Sequence, residues 1–264
     1  MEIAAIAAAA VCLEFRKAMA ASIPISSSDR VFVLSGAGIS AESGLATFRD
    51  SDGLWSGHRV EDVATPEAWA ENPELVWRFY SQRRHDATAA VPNPAHHALA
   101  ELESAIGDRF FLCTQNVDDL HERAGSKHMI HMHGQLFESR CEDDCGKPSF
   151  SDSEQYTSLA AIPNCSCGAR IRPYIVWFGE IPLEMDRIQQ EIDRCTVMVV
   201  VGTSGAVYPA ANFVRWANQR SRHGHTKVRT IYIGPEPPLN SSEFSQTVLG
   251  KAGEILPGLF QVES

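Results

Sequence analysis

The apolar run Val31-Phe32-Val33-Leu34 leads, through Ser35, into Gly36-Ala37-Gly38-Ile39-Ser40-Ala41-Glu42-Ser43-Gly44, and no other stretch of the 264 residues constrains the fold as much. A parallel strand that turns over a phosphate needs small residues at its end. They let backbone N–H groups approach the anion, and a following helix N-terminus adds partial positive charge. Gly36-x-Gly38-x-x-Ala41 fits the dinucleotide fingerprint with its permitted final alanine. Tight strand-to-helix turns need glycine whether or not they bind anything, so the fingerprint alone does not decide. The acidic residue usual on a second strand about twenty residues later is missing. Thr47-Phe48-Arg49-Asp50 and a Gly/Ser/Asp-rich stretch to Gly57 stand there instead. The pattern predicts a nucleotide site of an unusual kind.

Five short apolar runs read as buried parallel strands: Val31–Leu34, Phe110–Cys113, Met129–Met132, Val197–Val201 and Val228–Ile233. Their spacing leaves room for helices, which predicts an α/β fold with a Rossmann-like open parallel sheet, its crevice at the C-terminal strand ends. Two inserts interrupt it. The first, about 51–90, has a helical pattern, with Pro66-Glu67-Ala68-Trp69 starting a helix behind Thr65 as its N-cap. The second, about 136–171, is polar, cysteine-bearing and rich in turn residues. Together they predict a smaller domain set into a large part made of about 29–50, 91–135 and 172–264. Pro235 to Ser245 reads as loop, broken by Pro235, Pro237 and Pro238.

The net charge of −10, with no long Lys/Arg block, argues against a nucleic-acid partner held by phosphate neutralisation. No apolar run reaches the roughly 18–20 residues a membrane span needs. Ile3 to Leu13 is apolar and alanine-rich, but it has no basic residue before it, whereas Arg16 and Lys17 follow it. It reads as an N-terminal extension (1–12) and an amphipathic helix end rather than a signal segment, which points to a cytoplasmic chain.

Seven cysteines suit a disulfide framework poorly. Four of them, Cys141-x-x-x-Cys145 and, after nineteen intervening residues, Cys165-x-Cys167, read as two knuckles of a structural four-thiolate zinc site in a reducing compartment. Such a full set leaves no open position for catalysis. Cys12, Cys113 and Cys195 sit in apolar contexts as small core hydrophobes. His131 and His133, two apart on a predicted strand, share a face. His133 lies at the strand end before Gly134 and is the candidate general base, since imidazole titrates near neutral pH. His96, His97, His121 and His128 default to surface or core. Gln115, Asn116 and Asp118 follow a strand end where amide and carboxylate groups can bind a carboxamide, although Asn116 and Asp118 could equally cap a helix starting near Asp119.

In this order, Gly36-Ala37-Gly38-Ile39-Ser40, Thr47-Phe48-Arg49, Thr114-Gln115-Asn116-Val117-Asp118, His133-Gly134, the four cysteines, Val176-Trp177-Phe178-Gly179-Glu180 and Gly202-Thr203-Ser204 resemble the motifs of a sirtuin from about Leu13 to Leu259. The resemblance implies one deacylase domain over 13–264, NAD as a consumed co-substrate, one structural zinc, and acyl-lysine proteins bound as extended peptides. It assigns Gly36, Ala37, Gly38 and Glu42 to the dinucleotide, with Phe48 and Arg49 covering it. Gln115, Asn116, Val117 and Asp118 would line the ribose and nicotinamide pocket. Gly202, Thr203, Ser204, Gly234, Glu236 and Ala252 would hold the adenosine side. Val176, Phe178 and Gly179 would belong to a strand that pairs with the substrate peptide. In the family mechanism the acyl-lysine carbonyl oxygen attacks the nicotinamide ribose and expels nicotinamide. His133 then acts as base on a ribose hydroxyl, and the acyl group ends on ADP-ribose. The chain departs from the family at Ala46, where proline is usual, in the tight Cys165-x-Cys167 pair, and at Gly234-Pro235-Glu236, where the family carries Asn-x-Glu.

Tyr80-Ser81-Gln82-Arg83 places Tyr80 and Arg83 on one helix face. The position resembles the Tyr-x-x-Arg of class III sirtuins, which implies succinyl and malonyl substrates beside acetyl. A guanidinium fork binds a carboxylate bidentately, and the phenol adds a third hydrogen bond. Arg84 competes by adjacency but points about 100° away. Predominant deacetylation, ADP-ribosyl transfer on the same fold, a non-catalytic NAD-binding or zinc module and a conventional dehydrogenase are the rival readings. The missing ribose acid and the inserted cysteine module disfavour the dehydrogenase.

Overall fold

The computed structural model describes residues 22–47, 55–205, 207–222 and 227–263. The N-terminal extension, Cys12, Phe48 and Arg49 lie outside the described residues. The chain runs through β1 (Ile23–Ile25), β2 (Val31–Ser35), α1 (Val60–Val63), α2 (Pro66–Glu71), α3 (Pro73–Ala89), α4 (Pro94–Ile106), β3 (Phe110–Thr114), α5 (Leu120–Ala124) and β4 (Met129–His131). It continues through β5 (Gly134–Cys141), β6 (Phe150–Ser151), β7 (Ile171–Ile175), α6 (Met185–Arg194), β8 (Val197–Val201), α7 (Phe213–Arg222), β9 (Arg229–Gly234), β10 (Gln246–Leu249), α8 (Ala252–Ile255) and β11 (Phe260–Val262).

All five predicted strands lie in one parallel sheet of order β10-β9-β8-β2-β3-β4. Counted along the chain, this is the doubly wound order 3-2-1-4-5-6, which reverses between β2 and β8. The alternation within β2 shows why its apolar run is continuous. Val31 and Val33 pack with Leu99 of α4, Ala252 of α8 and Leu256 just after it. Phe32 and Leu34 pack with Ile188 and Ile192 of α6 and Phe213 of α7. With both faces covered, Val31 to Leu34 are all apolar, and the one polar residue, Ser35 at the strand end, is bonded to Thr114 and His121.

The sixth strand, β10, falls just beyond the predicted loop. Gln246-Thr247-Val248-Leu249 alternates between half-buried and exposed on an edge, so it carries no apolar run to reveal it.

The glycine turn also differs from expectation. No α-helix follows it; Ala37–Ile39 and Ala41–Ser43 are single 3₁₀ turns, the second ended by Gly44 at φ +86°. An α-helix would give the Ile39 carbonyl to Ser43 N–H. Here Asn93 Nδ2 takes that carbonyl (2.7 Å), and Ser43 N–H turns to Ser40 O (3.0 Å). Among these turns there is no long helix to supply a macrodipole.

The smaller part packs α1–α3 against a three-stranded antiparallel sheet, β6-β5-β7, around Val76, Trp77, Tyr80, Leu136 and Ile175. Thr65 Oγ1 accepts from Ala68 N–H (3.0 Å) with Pro66 opening α2, as the sequence predicts. The sheet in the second insert was not legible because its buried positions include polar residues held by partners. Ser139 is buried against Asp152 and donor groups of Arg84. Among the described residues no helix is long and apolar enough to cross a membrane.

Candidate active site

A cavity of about 500 Å³ opens at the C-terminal ends of β2, β3 and β8, where the sheet order reverses. Gly36, Ala37 and Gly38 line it together with Gly202, Thr203 and Ser204. Gly36 N–H donates to Val201 O (3.0 Å) and Gly38 N–H to Gly202 O (2.8 Å). A Cβ on either glycine would come within 2.8 Å of Gly202 O. The two glycines therefore serve first to let the turns after β2 and β8 touch. Of the three N–H groups, only that of Ala37 has no backbone acceptor among the described residues, so it is the one left for an anion.

Glu236 reaches the cavity, but Glu42, Gly234 and Ala252 do not line it. Glu42 Oε2 accepts from Gly253 N–H (2.7 Å), tying the turn to α8, and Ala252 is buried in the core under the sheet.

Gln115, Asn116, Val117 and Asp118 line the wall beyond β3. Asn116 Nδ2 donates to Ser40 Oγ (3.1 Å), and Ser40 Oγ donates to Asp118 Oδ2 (3.1 Å). Behind them Asn93 N–H donates to His96 Nδ1 (3.2 Å), which leaves Nε2–H of His96 to donate to Ser40 Oγ (3.4 Å). Burial, helped by His97, pulls the His96 pKa down to about 4, so this ring is neutral. Asp118 Oδ1 also accepts from Leu120 N–H (3.2 Å), so its capping and cavity roles coexist. Burial raises its pKa, against the pull of Leu120, Ser40, His131 and Arg83. Sequence reading left His96 without a role, because nothing along the chain places it beneath Ser40.

His131 and His133 do not share a strand face. β4 ends at His131, and His133 sits in the turn before Gly134, whose φ is +84°. Gly134 must stay bare there, because a Cβ would overlap the Tyr174 carbonyl. His131 is buried with Nδ1–H on Asn116 O (2.8 Å) and Nε2–H on Glu122 Oε1 (2.5 Å). Burial pulls its pKa down, but the Glu122 hydrogen bond and charge, the Asn116 carbonyl and Asp118 outweigh that, and the net shift is upward. His133 lines the cavity, and its Nδ1 meets Gln115 O (3.1 Å). A carbonyl only accepts, so Nδ1 carries the proton and Nε2 keeps its lone pair. Burial lowers the His133 pKa, partly countered by that carbonyl, so the base is free at neutral pH.

The four cysteines converge. All four sulfurs lie within 4.8 Å of one another, with Cys141 Sγ 3.4 Å from Cys167 Sγ and Cys145 Sγ 3.7 Å from Cys165 Sγ. Four thiolates at about 2.3 Å from a tetrahedral zinc stand roughly 3.8 Å apart, so the set fits the ion. The tight Cys165-x-Cys167 pair is closed by Cys165 N–H to Ala169 O (2.7 Å) and by Gly168 at φ +98°. Cys141 ends β5, so the metal would pin the sheet whose other strand, β7, leads to the cavity rim. Zinc analysis of the purified protein is expected to give one ion per chain. The double change Cys165→Ser/Cys167→Ser is expected to lose it, with a large fall in Tm. An unchanged Tm without zinc would contradict this. Cys113 and Cys195 are buried in the apolar core, as expected.

The Sir2 family profile matches residues 36–209. This chain belongs to the Sir2 family. A Shewanella oneidensis relative named NAD-dependent protein deacylase is 47% identical over 232 residues, covering 87% of this chain and 92% of its own length. A solved complex of a Sir2 homologue with NAD superposes with a TM-score of 0.78 at 41% identity, over 88% of this chain and 89% of that one. A Sir2 protein bound to a myristoylated histone peptide gives 0.66 at 30% identity, over 87% and 88%.

In this Sir2 chain α3 lines the cavity with Tyr80 and Arg83. Arg84 faces the other way. It is 1% exposed, donates to Leu136 O, Glu154 O and Ser139 Oγ, and pairs with Asp152 (3.3 Å), so it holds the small sheet together. The Arg83 guanidinium lies 4.3 Å over the Trp55 ring and touches Ser56 Oγ (3.4 Å). Among the described residues its Nε is buried without a partner, and no acidic side chain pairs with it. Tyr80 is fully buried and its Oη accepts from Trp177 Nε1–H (3.1 Å). Its own proton has no acceptor among the described residues.

Val176, Phe178 and Gly179 line the rim, but not as a strand. β7 ends at Ile175, and the chain turns at Gly179, φ +92°. Glu180 draws it round: Oε2 accepts Trp177 N–H (2.7 Å), while Arg172, stacked 3.4 Å from the Trp177 ring, forks onto both carboxylate oxygens. Val176 and Phe178 give their own N–H groups to His133 O (2.9 Å) and Ala64 O (3.0 Å). Trp177, the link between this turn and Tyr80, has no role in the sequence reading.

Proposed function

We propose that this protein is an NAD-dependent protein-lysine deacylase that prefers succinyl- and malonyl-lysine to acetyl-lysine. NAD-dependent deacylation is the activity named for the Shewanella relative, and the cavity fits it. One observation carries the acyl preference. Arg83 brings a positive charge and, among the described residues, an unpartnered Nε to the cavity wall, beside a phenol with an unused proton. Burial lowers the Arg83 pKa, yet guanidinium keeps its charge throughout the neutral range. A carboxylate on the acyl chain satisfies both donors; an acetyl methyl satisfies neither.

When bound, NAD supplies an electrophilic ribose carbon and a leaving nicotinamide. Gly36–Gly38, with Phe48 and Arg49, would hold its phosphates, and Gly202–Ser204 with Glu236 its adenosine side. Asn116 and Asp118, locked by Ser40, present amide and carboxyl groups to the carboxamide and ribose. His133 Nε2 takes the proton of a ribose hydroxyl, and Nδ1–H stays on Gln115 O. The substrate lysine enters past Phe178 and Gly179 from an extended peptide segment. Residues 13–264 form one such domain, with the parts at about 51–90 and 136–171 as its smaller unit, working in the cytoplasm on protein and not nucleic-acid substrates.

The test is mass spectrometry of a peptide set differing only in the lysine acyl group, incubated with NAD. Nicotinamide and O-acyl-ADP-ribose are expected in equal amounts and only with acylated peptide. Nicotinamide release without acylated peptide would favour ADP-ribosyl transfer instead.

A further inference from the structure

Tyr232, in β9, is 4% exposed, yet it reaches the cavity wall between the turn after β8 and Glu236. It shares a sheet face with Gly234, the next position of that face. A tyrosine leaning along its strand spans the roughly 6.6–6.8 Å between such positions. Here it does so fully: a Cβ built on Gly234 would fall on Tyr232 Oη and lie 2.8 Å from the ring Cζ. The phenol hydroxyl occupies the place where any other side chain at 234 would begin. The ring is held there by Phe244, centroids 5.4 Å apart. No group among the described residues hydrogen-bonds the hydroxyl. Burial, with the Glu236 carboxylate nearby, raises its pKa, so it keeps its proton and both donates and accepts.

We propose that the Tyr232 hydroxyl, which fills the space beside Gly234 at the cavity wall, is a binding group for the adenosine ribose of NAD. The proposal rests on the NAD reading above. In a doubly wound sheet the dinucleotide spans the strand ends on both sides of the order reversal, so β8 and β9 carry the half opposite to Gly36. A ribose presents two adjacent hydroxyls there. Glu236 can accept from one of them, and Tyr232 Oη can donate to the other. Gly234 is then required for room rather than for flexibility, since its backbone is ordinary strand.

Calorimetry with ADP-ribose tests this without turnover. Tyr232→Phe keeps the ring and the packing on Phe244 but removes the hydroxyl; its Kd for ADP-ribose is expected to rise at least threefold with Tm unchanged. Gly234→Ala, which displaces the phenol without deleting it, should weaken binding to a similar degree. Tyr232→Val combined with Gly234→Asn, which places a polar group at position 234, should bind more tightly than Tyr232→Val alone. A change of less than threefold for both Tyr232→Phe and Gly234→Ala overturns the proposal. Failure of the unaltered protein to bind ADP-ribose overturns the NAD reading itself, a distinct result.

Discussion

His133→Ala is expected to lower kcat by about 10²–10⁴-fold, the usual contribution of a positioned general base, while Kd values for ADP-ribose and for acylated peptide change little. The ring lines the cavity, and Gln115 O fixes its tautomer, so its loss removes a proton acceptor rather than a structural strut. The pH profile carries the same signature. Burial holds the His133 pKa below its ordinary 6.5, and only the neutral ring can accept a proton. The acid limb of kcat/KM should therefore fall with a midpoint below pH 6.5 and leave a plateau through pH 7–8. His131 sits two residues away but is pushed the other way by Glu122, and both its ring nitrogens already donate. It cannot be the base. Retained turnover in His133→Ala, or an acid limb centred above 7, would remove His133 from this role.

The second large effect is selective. Arg83→Met is expected to lower kcat/KM on succinyl-lysine peptides by roughly 10- to 150-fold, the equivalent of one charged hydrogen-bonding group at about 1.5–3 kcal/mol. Acetyl-lysine turnover should stay within a few-fold, because an acetyl group ends before the guanidinium. Arg84→Met is the contrasting variant. That side chain holds β5 and Asp152, so its loss should lower Tm and depress both activities together. Equal losses on both substrates in Arg83→Met, with Tm unchanged, would show that Arg83 does not read the acyl group.

The parts of this molecule legible in its sequence are those where one physical constraint acts locally. A strand buried on both faces must be apolar throughout, so β2, β3, β8 and β9 declare themselves. Four cysteines in two close pairs leave few alternatives to a metal. The sheet β5-β6-β7 stayed hidden because its interior is closed by Arg84, Ser139 and Asp152, whose polarity reads as surface. β10 stayed hidden because an edge strand needs no apolar run. In the site, motif residues were found at once, but their supports were not. His96 under Ser40, Trp177 on Tyr80 and Tyr232 over Gly234 are joined only by folding. The expected helix after Gly38 and the expected strand at Val176–Glu180 failed for one reason. A distant side chain, Asn93 in one case, and a local carboxylate, Glu180 in the other, took the backbone groups those elements require.

The acyl preference depends on Arg83, which has no acidic partner among the described residues. The most direct measurement is a competition between succinyl- and acetyl-lysine forms of one peptide, mixed in equal amounts with NAD and the unaltered protein and followed by mass spectrometry. Consumption of the succinyl peptide at least tenfold faster is the predicted result. Equal rates, or faster loss of the acetyl peptide, would contradict it.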